Sequence, residues 1–371
     1  MALNLAARVV GEAQVVVVGA GVIGCSIAYH LARRGASVTV IDANGIGTGT
    51  SSATLGLVWV QRKEPAEYME LNLLSSRLHT ELAKTFDEDV ELNQIGGISS
   101  YVDEASYAKN LEIMERLNAA SEKHQAREIT SQEAHELEPE LSPNIVGAIF
   151  CPHDGEINPI KLTINLARNA KKLGMSFITQ TPIDCISRDE NGVTGVETRT
   201  GFIRAKSIVV AAGSGTADLV KPLGIELPMV FEKGQILVTE ALRRMMRYPT
   251  GNTRQTVRGN ILFGVTYEPN QTERITTMEG ARKIGNDAVS RYPALKDVQI
   301  IRHFAGIRPI PKDGKPYLGP VERIPGLYVA TSHSGITLAP VHGKVISELI
   351  LDGSTNVPIE SYQPERHMQD P

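Results

Sequence analysis

The sequence has few cysteines, no long hydrophobic run and no dense basic block, and each shortage excludes a class of protein. Its 371 residues include three cysteines, Cys25, Cys151 and Cys185, whose spacing fits neither a disulfide framework nor a zinc site. No stretch approaches the roughly 18 apolar residues that a membrane span needs. With 38 basic and 42 acidic residues the net charge is -4, so neither nucleic acid nor an anionic membrane is indicated as a partner. Small molecules are the expected partners, and no metal site is predicted.

The beginning of the chain also lacks the apolar core of a signal peptide. Arg8 and Glu12 interrupt short apolar pieces in residues 1–14, a stretch that is expected to be a frayed leader. Together with the few cysteines, this predicts a protein of the reducing cytoplasm. The length allows about two or three domain-sized cores.

The stretch that organises the chain joins a β-branched run to closely spaced glycines. Four valines at residues 15–18 favour a strand buried on both faces, and the spacing of residues 22–34 is helical. Gly19 would make the turn, Gly21 would let the backbone approach a phosphate, and Gly24 would let helix and strand pack closely. A pyrophosphate is therefore expected at the N-terminus of the helix, with Val22 and Ile23 in its first turn.

An acidic residue completes the dinucleotide-binding pattern. Residues 37–41 predict a second parallel strand, which ends on Asp42, 18 residues after Gly24. A carboxylate at this place accepts hydrogen bonds from ribose hydroxyls. Glycines alone are a weak signal, but strand, glycines, helix, strand and acid together are strong. A tight turn without a ligand is the weaker alternative.

A loop rich in small residues and hydroxyls follows the acid at residues 44–56. Backbone N–H groups and the hydroxyls of Thr50, Ser51 and Ser52 could wrap a phosphate or a sugar. A flexible surface loop is the alternative interpretation. The binding role is favoured because the loop follows Asp42 directly and so lies near the mouth of the predicted site.

The remaining pattern predicts two interleaved domains. Helical and parallel-strand patterns assign residues 15–88, 147–225 and 302–371 to a doubly wound, Rossmann-like α/β domain that binds the dinucleotide. Residues 89–146 and 226–301 are assigned to a second, α+β domain built on an antiparallel sheet. In it, residues 235–239 and 260–265 predict strands and residues 274–292 a helix. The last helix is predicted over residues 338–351.

Several motifs together resemble the D-amino-acid oxidase superfamily of flavoproteins. Within it, the chain is similar to the branch of glycine oxidase, the sarcosine oxidase β-subunit and the proline or opine dehydrogenase β-subunit. The motifs span nearly the whole chain in the family's order, and they are Gly19-Ala-Gly-Val-Ile-Gly24 with Asp42, Ala211-Ala-Gly213, Lys233-Gly-Gln235, Gly306-Ile-Arg-Pro309 with Lys312-Asp-Gly-Lys-Pro316, and Gly335-Ile-Thr-Leu-Ala-Pro340.

The resemblance implies FAD as the cofactor and a substrate-domain sheet over the flavin ring. Only one complete dinucleotide unit is present, so a separate NAD(P)H domain is not expected, and the substrate itself would reduce the flavin. Non-covalent binding is expected because no Cys follows Cys185 and no His lies near Ser51. The residues expected to contact FAD are Gly19, Gly21, Val22, Ile23, Gly24, Asp42, Ala43, Thr50, Ser51, Ser52, Gly56, Leu57, Ala211, Ala212, Gly213, Gly306, Arg308, Ser334, Gly335, Ile336 and Thr337.

Four residues are candidates for contact with the substrate. By resemblance, Arg308 would pair with a substrate carboxylate, the alternative being a surface salt bridge. His333 stands where glycine oxidases look to carry a second carboxylate-binding Arg, which puts glycine in doubt as the substrate; a structural histidine is an equal alternative. Tyr267 and Glu268 follow a strand that the family lays over the flavin, and a solvated turn is the alternative for both.

Two further groups of residues are interpreted as non-catalytic. Trp59, the only Trp, precedes Gln61, Arg62 and Lys63, and a solvent-exposed patch is expected there, with substrate entry or a partner surface as alternatives. His153 and the next residue, Asp154, are expected to be structural, because the family places their loop away from the flavin.

The resemblance implies oxidation of an amino acid or a secondary amine that bears a carboxylate. The α C–H would pass as hydride to flavin N5, giving an imine or a 2-oxo acid, without a side-chain base. The electron acceptor stays open between O₂ and a partner subunit or quinone, the second as in the β-subunit of a heteromeric proline, hydroxyproline or opine dehydrogenase. A homo- or hetero-oligomer is expected. An FAD-binding subunit without catalytic activity is the rival from another class.

Overall fold

The computed structural model describes residues 8–367 of the chain. Part of the leader expected over residues 1–14 lies outside this range. The rest of that expectation is wrong, because the chain is a strand from Val9 onward and pairs with Phe202. The helices are α1 (Val22–Arg33), α2 (Ala66–Ala83), α3 (Glu104–Ala120), α4 (Ser131–Leu137), α5 (Pro159–Lys172), α6 (Thr216–Val220), α7 (Met278–Arg291) and α8 (Gly335–Asp352).

The strands form four sheets. In chain order they are β1 (Val9–Val18), β2 (Val38–Ile41), β3 (Leu57–Val58), β4 (Gly97–Tyr101), β5 (Arg127–Ile129), β6 (Gly147–Cys151), β7 (Gly155–Glu156), β8 (Ser176–Ile178), β9 (Ile183–Asp189), β10 (Gly192–Thr198), β11 (Gly201–Val210), β12 (Met229–Ala241), β13 (Thr253–Gln255), β14 (Asn260–Gly264), β15 (Glu268–Pro269), β16 (Ile300–Pro311), β17 (Tyr317–Pro320) and β18 (Leu327–Thr331).

The largest sheet has eight strands and carries the dinucleotide motif. Its main path runs β17-β18-β11-β1-β2-β8, and the pairs from β18 to β8 are parallel. Residues 15–18 of β1 are almost wholly buried. Val15 and Val17 lie in one core cluster with side chains of α1, α5 and α8, and Val16 and Val18 lie in a second cluster, as expected for a strand covered on both sides. The carboxyl ends of β1, β11 and β18 therefore meet at one edge, which is where ligands bind in such sheets.

The second large sheet is antiparallel and has five strands. Long β12 pairs with β14, β15 and β16, and β13 extends the sheet beyond β14. Helix α7 packs against this sheet, with Ile284 and Ala288 in the shared core. The mixed α/β architecture with a parallel sheet and a separate antiparallel sheet confirms the predicted fold class.

Strand pairing moves two of the predicted domain boundaries. Residues 147–151 are expected in the dinucleotide-binding part, but they form β6, which pairs with β4 and β5. Residues 302–311 are expected there as well, but they lie in β16 and pair with β12 along its length. Both segments therefore belong with the antiparallel sheets. The division into two domains itself stays a proposal.

Candidate active site

A cavity of about 710 Å³ lies where the carboxyl edge of the parallel sheet faces the antiparallel sheet. The β1–α1 turn, the loop at residues 42–55 and the β18–α8 turn line one side. Strands β12 and β16 and the segment after β14 line the other. One chain of 371 residues thus brings together segments that lie more than 300 positions apart.

The glycines of the β1–α1 turn are required by close backbone approach. Gly19 has φ +109°, and a Cβ there would lie 2.4 Å from the carbonyl oxygen of Ala211. A Cβ on Gly24 would lie 1.9 Å from the carbonyl oxygen of Gly19. Gly24 therefore allows helix α1 to pack closely against the Gly19 carbonyl, and it does not itself line the cavity.

The N-terminus of α1 points a positive end at the cavity. Its first turn contains no acidic residue, and Gly21 at the N-cap offers no side chain. The Val22 N–H donates to the Ser51 hydroxyl at 3.0 Å, so the small-residue loop stands directly over this helix end. Backbone N–H groups, a hydroxyl and a helix dipole together suit an anionic phosphate group.

The carboxylate of Asp42 lies at the next strand end along the sheet. It accepts hydrogen bonds from the Ala20 N–H at 2.8 Å and the Asn44 N–H at 2.7 Å, and it lines the cavity together with Ala43. Two bonds use part of its capacity, since a carboxylate offers about four acceptor sites. The remaining sites face the cavity edge where a ribose is expected.

The β18–α8 turn lies beside the first turn of α1, where a Cβ on Gly335 would be 3.5 Å from the Ile23 side chain. The Ser334 hydroxyl, at the N-cap of α8, accepts from the Lys63 ammonium at 2.6 Å and from the Tyr68 hydroxyl at 3.1 Å. Thr337 accepts from the Trp59 N–H at 3.1 Å and donates to the Leu57 carbonyl at 3.3 Å. The start of α8 is thereby fixed against the segment that follows β3.

Most of the residues expected to contact FAD line this one cavity, and three do not. Gly24, Ser52 and Gly56 lie behind the wall: the Ser52 hydroxyl donates to Gly49 O at 3.2 Å, and a Cβ on Gly56 would be 2.3 Å from Ile157 O. The expected residues that line the cavity are Gly19, Gly21, Val22, Ile23, Asp42, Ala43, Thr50, Ser51, Leu57, Ala211, Ala212, Gly213, Gly306, Arg308, Ser334, Gly335, Ile336 and Thr337.

Arg308 lies on β16 with its guanidinium across Gly234 of the paired strand. Its Nη1 donates to Glu232 at 2.5 Å and its Nη2 to the Thr266 carbonyl at 3.1 Å. The ring of Tyr267 lies 5.0 Å from the guanidinium carbon. Arg308 is only 16% exposed, so this ion pair is not the surface salt bridge of the alternative interpretation. Five N–H donors leave several free for a ligand in the cavity.

The two residues after β14 have different surroundings. Tyr267 lines the cavity and is 68% exposed. Glu268 does not line it, because its carboxylate accepts from the Lys233 ammonium at 2.9 Å, from Gln235 at 2.6 Å and from the Thr266 hydroxyl at 2.6 Å. These bonds hold its pKa below the usual range against the effect of burial. The expectation that Glu268 contacts the substrate is therefore wrong, and the carboxylate is structural.

His333 precedes the N-cap of α8 and lies on the cavity wall. Its side chain is exposed where it lines the cavity. Burial and the positive charges of Lys63 and Arg308 lower its pKa to about 3. The imidazole is therefore neutral at physiological pH, and it does not provide the second cation that an Arg would provide there.

The exposed patch expected at residues 59–63 is wrong for Trp59 and Gln61, whereas Arg62 is exposed as expected. Trp59 is 7% exposed and Gln61 1%, and Trp59, Arg62 and Lys63 all line the cavity. Asp154 holds the segment by accepting from the Val60 N–H at 2.5 Å and the Gln61 N–H at 3.2 Å. The sequence does contain a sign that this segment lines the cavity, because two cations beside the only Trp follow the predicted phosphate-binding loop.

His153 and Asp154 are structural, as expected from the sequence. Asp154 is fully buried, and burial raises its pKa to about 7 although the Val60 and Gln61 N–H groups favour the charged form. The His153 carbonyl accepts from the Ser76 hydroxyl at 2.7 Å. Neither residue lines the cavity.

The residues present fit FAD. A glycine turn that a Cβ would fill, an uncapped helix end and a carboxylate at the next strand suit the dinucleotide, and the apolar segment around Leu57 and Ile336 suits a ring system. Within residues 8–367 no cluster of three or more His, Cys, Asp or Glu side chains could hold a metal ion. In the same range no helix is long and apolar enough to cross a membrane.

Comparison with known proteins assigns the family. The model of the DAO family, described as FAD dependent oxidoreductase, matches residues 14–349. An opine oxidase subunit of Agrobacterium tumefaciens is 29% identical over 92% of this chain and 94% of its own length. Glycine oxidase of Pseudomonas aeruginosa is 30% identical over 91% and 94% of the two chains.

A solved structure agrees with this assignment over the whole fold. The crystal structure of glycine oxidase from Geobacillus kaustophilus superposes with a TM-score of 0.90 at 27% identity, and the alignment covers 97% of this chain and 100% of that chain. The resemblance inferred from the motifs is thereby confirmed, as is FAD as the cofactor. The chain belongs to the DAO family and is an FAD-dependent oxidoreductase.

Proposed function

We propose that this enzyme oxidises an amino acid or a secondary amine whose carboxylate binds to Arg308. The general reaction, FAD-dependent oxidation of an amino acid or amine, is the one predicted from the sequence, and the family and its glycine oxidase and opine oxidase relatives confirm it. The observation that carries the finer proposal is the position of Arg308, a half-buried cation on the substrate-sheet side of the cavity.

Arg308 is suited to orient a carboxylate. Glu232 and the Thr266 carbonyl fix two of its N–H groups, and the Tyr267 ring packs against the guanidinium. The side chain is thereby preorganised, so little entropy is lost when the remaining donors bind two carboxylate oxygens. A substrate held in this way has its amine-bearing carbon fixed relative to the opposite wall of the cavity.

Bound FAD would supply the hydride acceptor, and the protein would supply orientation and charge. The N-terminus of α8 places positive charge on the wall formed by the β18–α8 turn. His333 is a weak base because its pKa is about 3. The geometry therefore supports binding of the neutral amine, without a side chain that removes its proton.

Membership of a larger, multi-chain enzyme is the second candidate. The observation in its favour is the similarity to the opine oxidase chain of Agrobacterium tumefaciens, itself one subunit of its enzyme, along 92% of this chain. In such a multi-chain enzyme electrons would pass to a partner subunit or a quinone, whereas in a free-standing oxidase they would pass to O₂. The oligomeric state, the cytoplasmic location and non-covalent binding of FAD stay predictions.

The test is anaerobic reduction of the yellow holoenzyme by a panel of carboxylated amines. Glycine, sarcosine, proline, hydroxyproline, D-amino acids and opines are added singly, and bleaching of the flavin absorbance is recorded. At least one member is expected to bleach the protein, and bleaching by none would favour the FAD-binding subunit without activity. Admission of O₂ then distinguishes the acceptors, since an oxidase recovers its colour rapidly and a dehydrogenase slowly. Acid precipitation is expected to release the flavin into the supernatant.

A further inference from the structure

The cavity carries more positive charge than a single carboxylate needs. We infer that Lys63, assisted by Arg62, binds a second carboxylate, and that the substrate is a dicarboxylic secondary amine with one carboxylate on each side of the nitrogen. This inference rests on the proposed function, in which Arg308 binds the first carboxylate.

The charged side chains of the cavity are unevenly distributed. The two acids that line it are Asp42, at the dinucleotide end, and Asp218, on α6 just beyond the end of β11. The cations that line it are Arg62, Lys63, Arg274 and Arg308. Arg274 donates to the Thr48 carbonyl at 3.2 Å in the small-residue loop. The other three lie at the end away from the two acids, and no acidic side chain lines that end among residues 8–367. An anionic molecule is therefore attracted to the end that lies under the antiparallel sheet.

Lys63, which is partly buried, differs from the buried cations Lys233 and Arg254, whereas Arg62 is exposed. Lys233 pairs with Glu268 at 2.9 Å and Arg254 faces Glu156 at 3.8 Å, as buried charges normally do. Within the described residues, no carboxylate lies within ion-pair distance of Lys63 or Arg62.

The hydrogen bonds of these two cations are correspondingly few. Lys63 donates to the neutral hydroxyl of Ser334, and Arg62 donates to Asn110 at 3.4 Å. The acid whose charge acts on both, Asp154, is held by the Val60 and Gln61 N–H groups and is not ion-paired with either cation, so both can bind an anion in the cavity.

Electrostatics agree with this geometry. Burial and the neighbouring Arg62 lower the pKa of Lys63 to about 8, so the ammonium is still mostly charged at pH 7. Lys63 and Arg308 both line the cavity, and the positive charge of each lowers the pKa of His333, after burial as the main cause. Since His333 itself is neutral, Lys63 is the second cation available to a substrate there.

Arg62 connects this pair with the substrate-sheet side. Its Nη2 atom lies 2.6 Å from the place of a Cβ on Gly251, in the segment that leads into β13. The pair therefore reaches from the α8 turn toward the antiparallel sheet, as a ligand beneath that sheet requires. A site for the cofactor alone would not need Arg62.

The test uses two ethers that differ by one carboxylate. Diglycolate has a carboxylate on each side of its oxygen, methoxyacetate has one, and neither contains an amine that could be oxidised. Each is titrated into the holoenzyme, and the dissociation constant is read from the change in flavin absorbance. Wild-type protein is expected to bind diglycolate at least about tenfold more tightly, because a charge-assisted hydrogen bond contributes roughly that factor or more.

Variants assign the preference to Lys63. Lys63→Met, which keeps the length and removes the charge, is expected to abolish the preference while binding of methoxyacetate stays within about twofold. Lys63→Arg should retain part of the preference, and Arg62→Gln should reduce it less. Lys283→Met removes an exposed cation of α7 outside the cavity, and as the matched control it should leave both constants unchanged.

Three results would overturn the inference: equal binding of the two ethers by wild-type protein, equal weakening of both in Lys63→Met, or full preference in Lys63→Met. The proposed function fails separately, when no amine bleaches the flavin although diglycolate is preferred. If amines do bleach it, iminodiacetate should reduce the wild-type flavin with a higher specificity constant than sarcosine, which lacks the second carboxylate.

Discussion

The two walls of the cavity recognise their ligands by different means. The wall formed by the β1–α1 turn uses backbone groups, and its glycines leave no space for a side chain: a Cβ on Gly19 or Gly24 would collide with a carbonyl oxygen. The wall under the antiparallel sheet uses long side chains, among them Arg62, Lys63 and Arg308.

This difference separates cofactor binding from substrate choice. A backbone wall cannot be changed by one residue without moving the strand and helix that form it, so substitutions there should affect flavin content and stability together. A wall of side chains can be altered one charge at a time on an intact scaffold. Substitutions there should change the substrate and leave the flavin in place.

The largest effect is expected for Gly24→Ala. The new methyl group would overlap the Gly19 carbonyl, and relief of that clash must separate α1 from β1, at a cost of about 1–3 kcal/mol or more. The variant should lose most of its flavin and melt at lower temperature, as measured by absorbance and by calorimetry. Gly285→Ala on α7, where a Cβ meets nothing within 4 Å, is the control and should keep both properties. Normal flavin content in Gly24→Ala would contradict the close packing.

Arg308→Ala should act on the substrate and spare the cofactor. Loss of charge-assisted hydrogen bonds, worth about 1.5–3 kcal/mol each, should lower kcat/KM at least about a hundredfold on the substrate found by bleaching. Arg308→Lys should recover only part of the lost kcat/KM, because an ammonium cannot donate two parallel hydrogen bonds to a carboxylate as a guanidinium does. Near-normal turnover in Arg308→Ala with flavin bound would show that the carboxylate is held elsewhere.

Asp42→Ala should weaken FAD binding without unfolding the protein. The carboxylate is exposed to the cavity, and its expected bonds to the ribose are worth about 1–3 kcal/mol. Its bonds to Ala20 and Asn44 add a local contribution to the loop. Equilibrium dialysis of the apoprotein with FAD gives the change in dissociation constant. An unchanged affinity for FAD would show that Asp42 does not bind the ribose.

The wall that binds the dinucleotide can be predicted from the sequence better than the wall under the antiparallel sheet, for a physical reason. The dinucleotide wall is local: residues 15–42 contain its strand, turn, helix and acid, so their spacing alone places them in one site. The other wall is assembled by pairing over long separations, such as β12 with β16 and Lys63 with Ser334, and no local pattern reports these contacts. Arg308 is found only through the motif that resembles the family.

Two errors show where local patterns fail. Trp59 and Lys63 look like an exposed patch because nothing nearby in the sequence covers them; Asp154 and Thr337, which hold this segment, are distant in the chain. Glu268 looks free beside Tyr267, but Lys233 on the neighbouring strand neutralises it. In both cases the deciding partner comes from another element.

A smaller effect is expected from pH. The pKa of Lys63 is lowered in the folded protein to about 8, so its charge is present below that pH and is lost as the pH rises through it. The preference for diglycolate over methoxyacetate should therefore fall between about pH 7 and pH 9.5, by up to roughly tenfold. The other groups around the ammonium are Arg62, Asp154, Tyr68, Ser334 and His333, and titrations of the Lys63→Arg variant identify the lysine, since its preference should stay constant over this range.

The most direct measurement of carboxylate recognition by Arg308 compares each amine with its counterpart that lacks the carboxylate. Sarcosine and dimethylamine, or proline and pyrrolidine, are mixed anaerobically with the holoenzyme at equal concentration, and the rate of flavin bleaching is followed. The carboxylated member of at least one such pair is expected to bleach the flavin at least about a hundredfold faster, because Arg308 positions only that member. Equal rates within every reactive pair would contradict this role of Arg308.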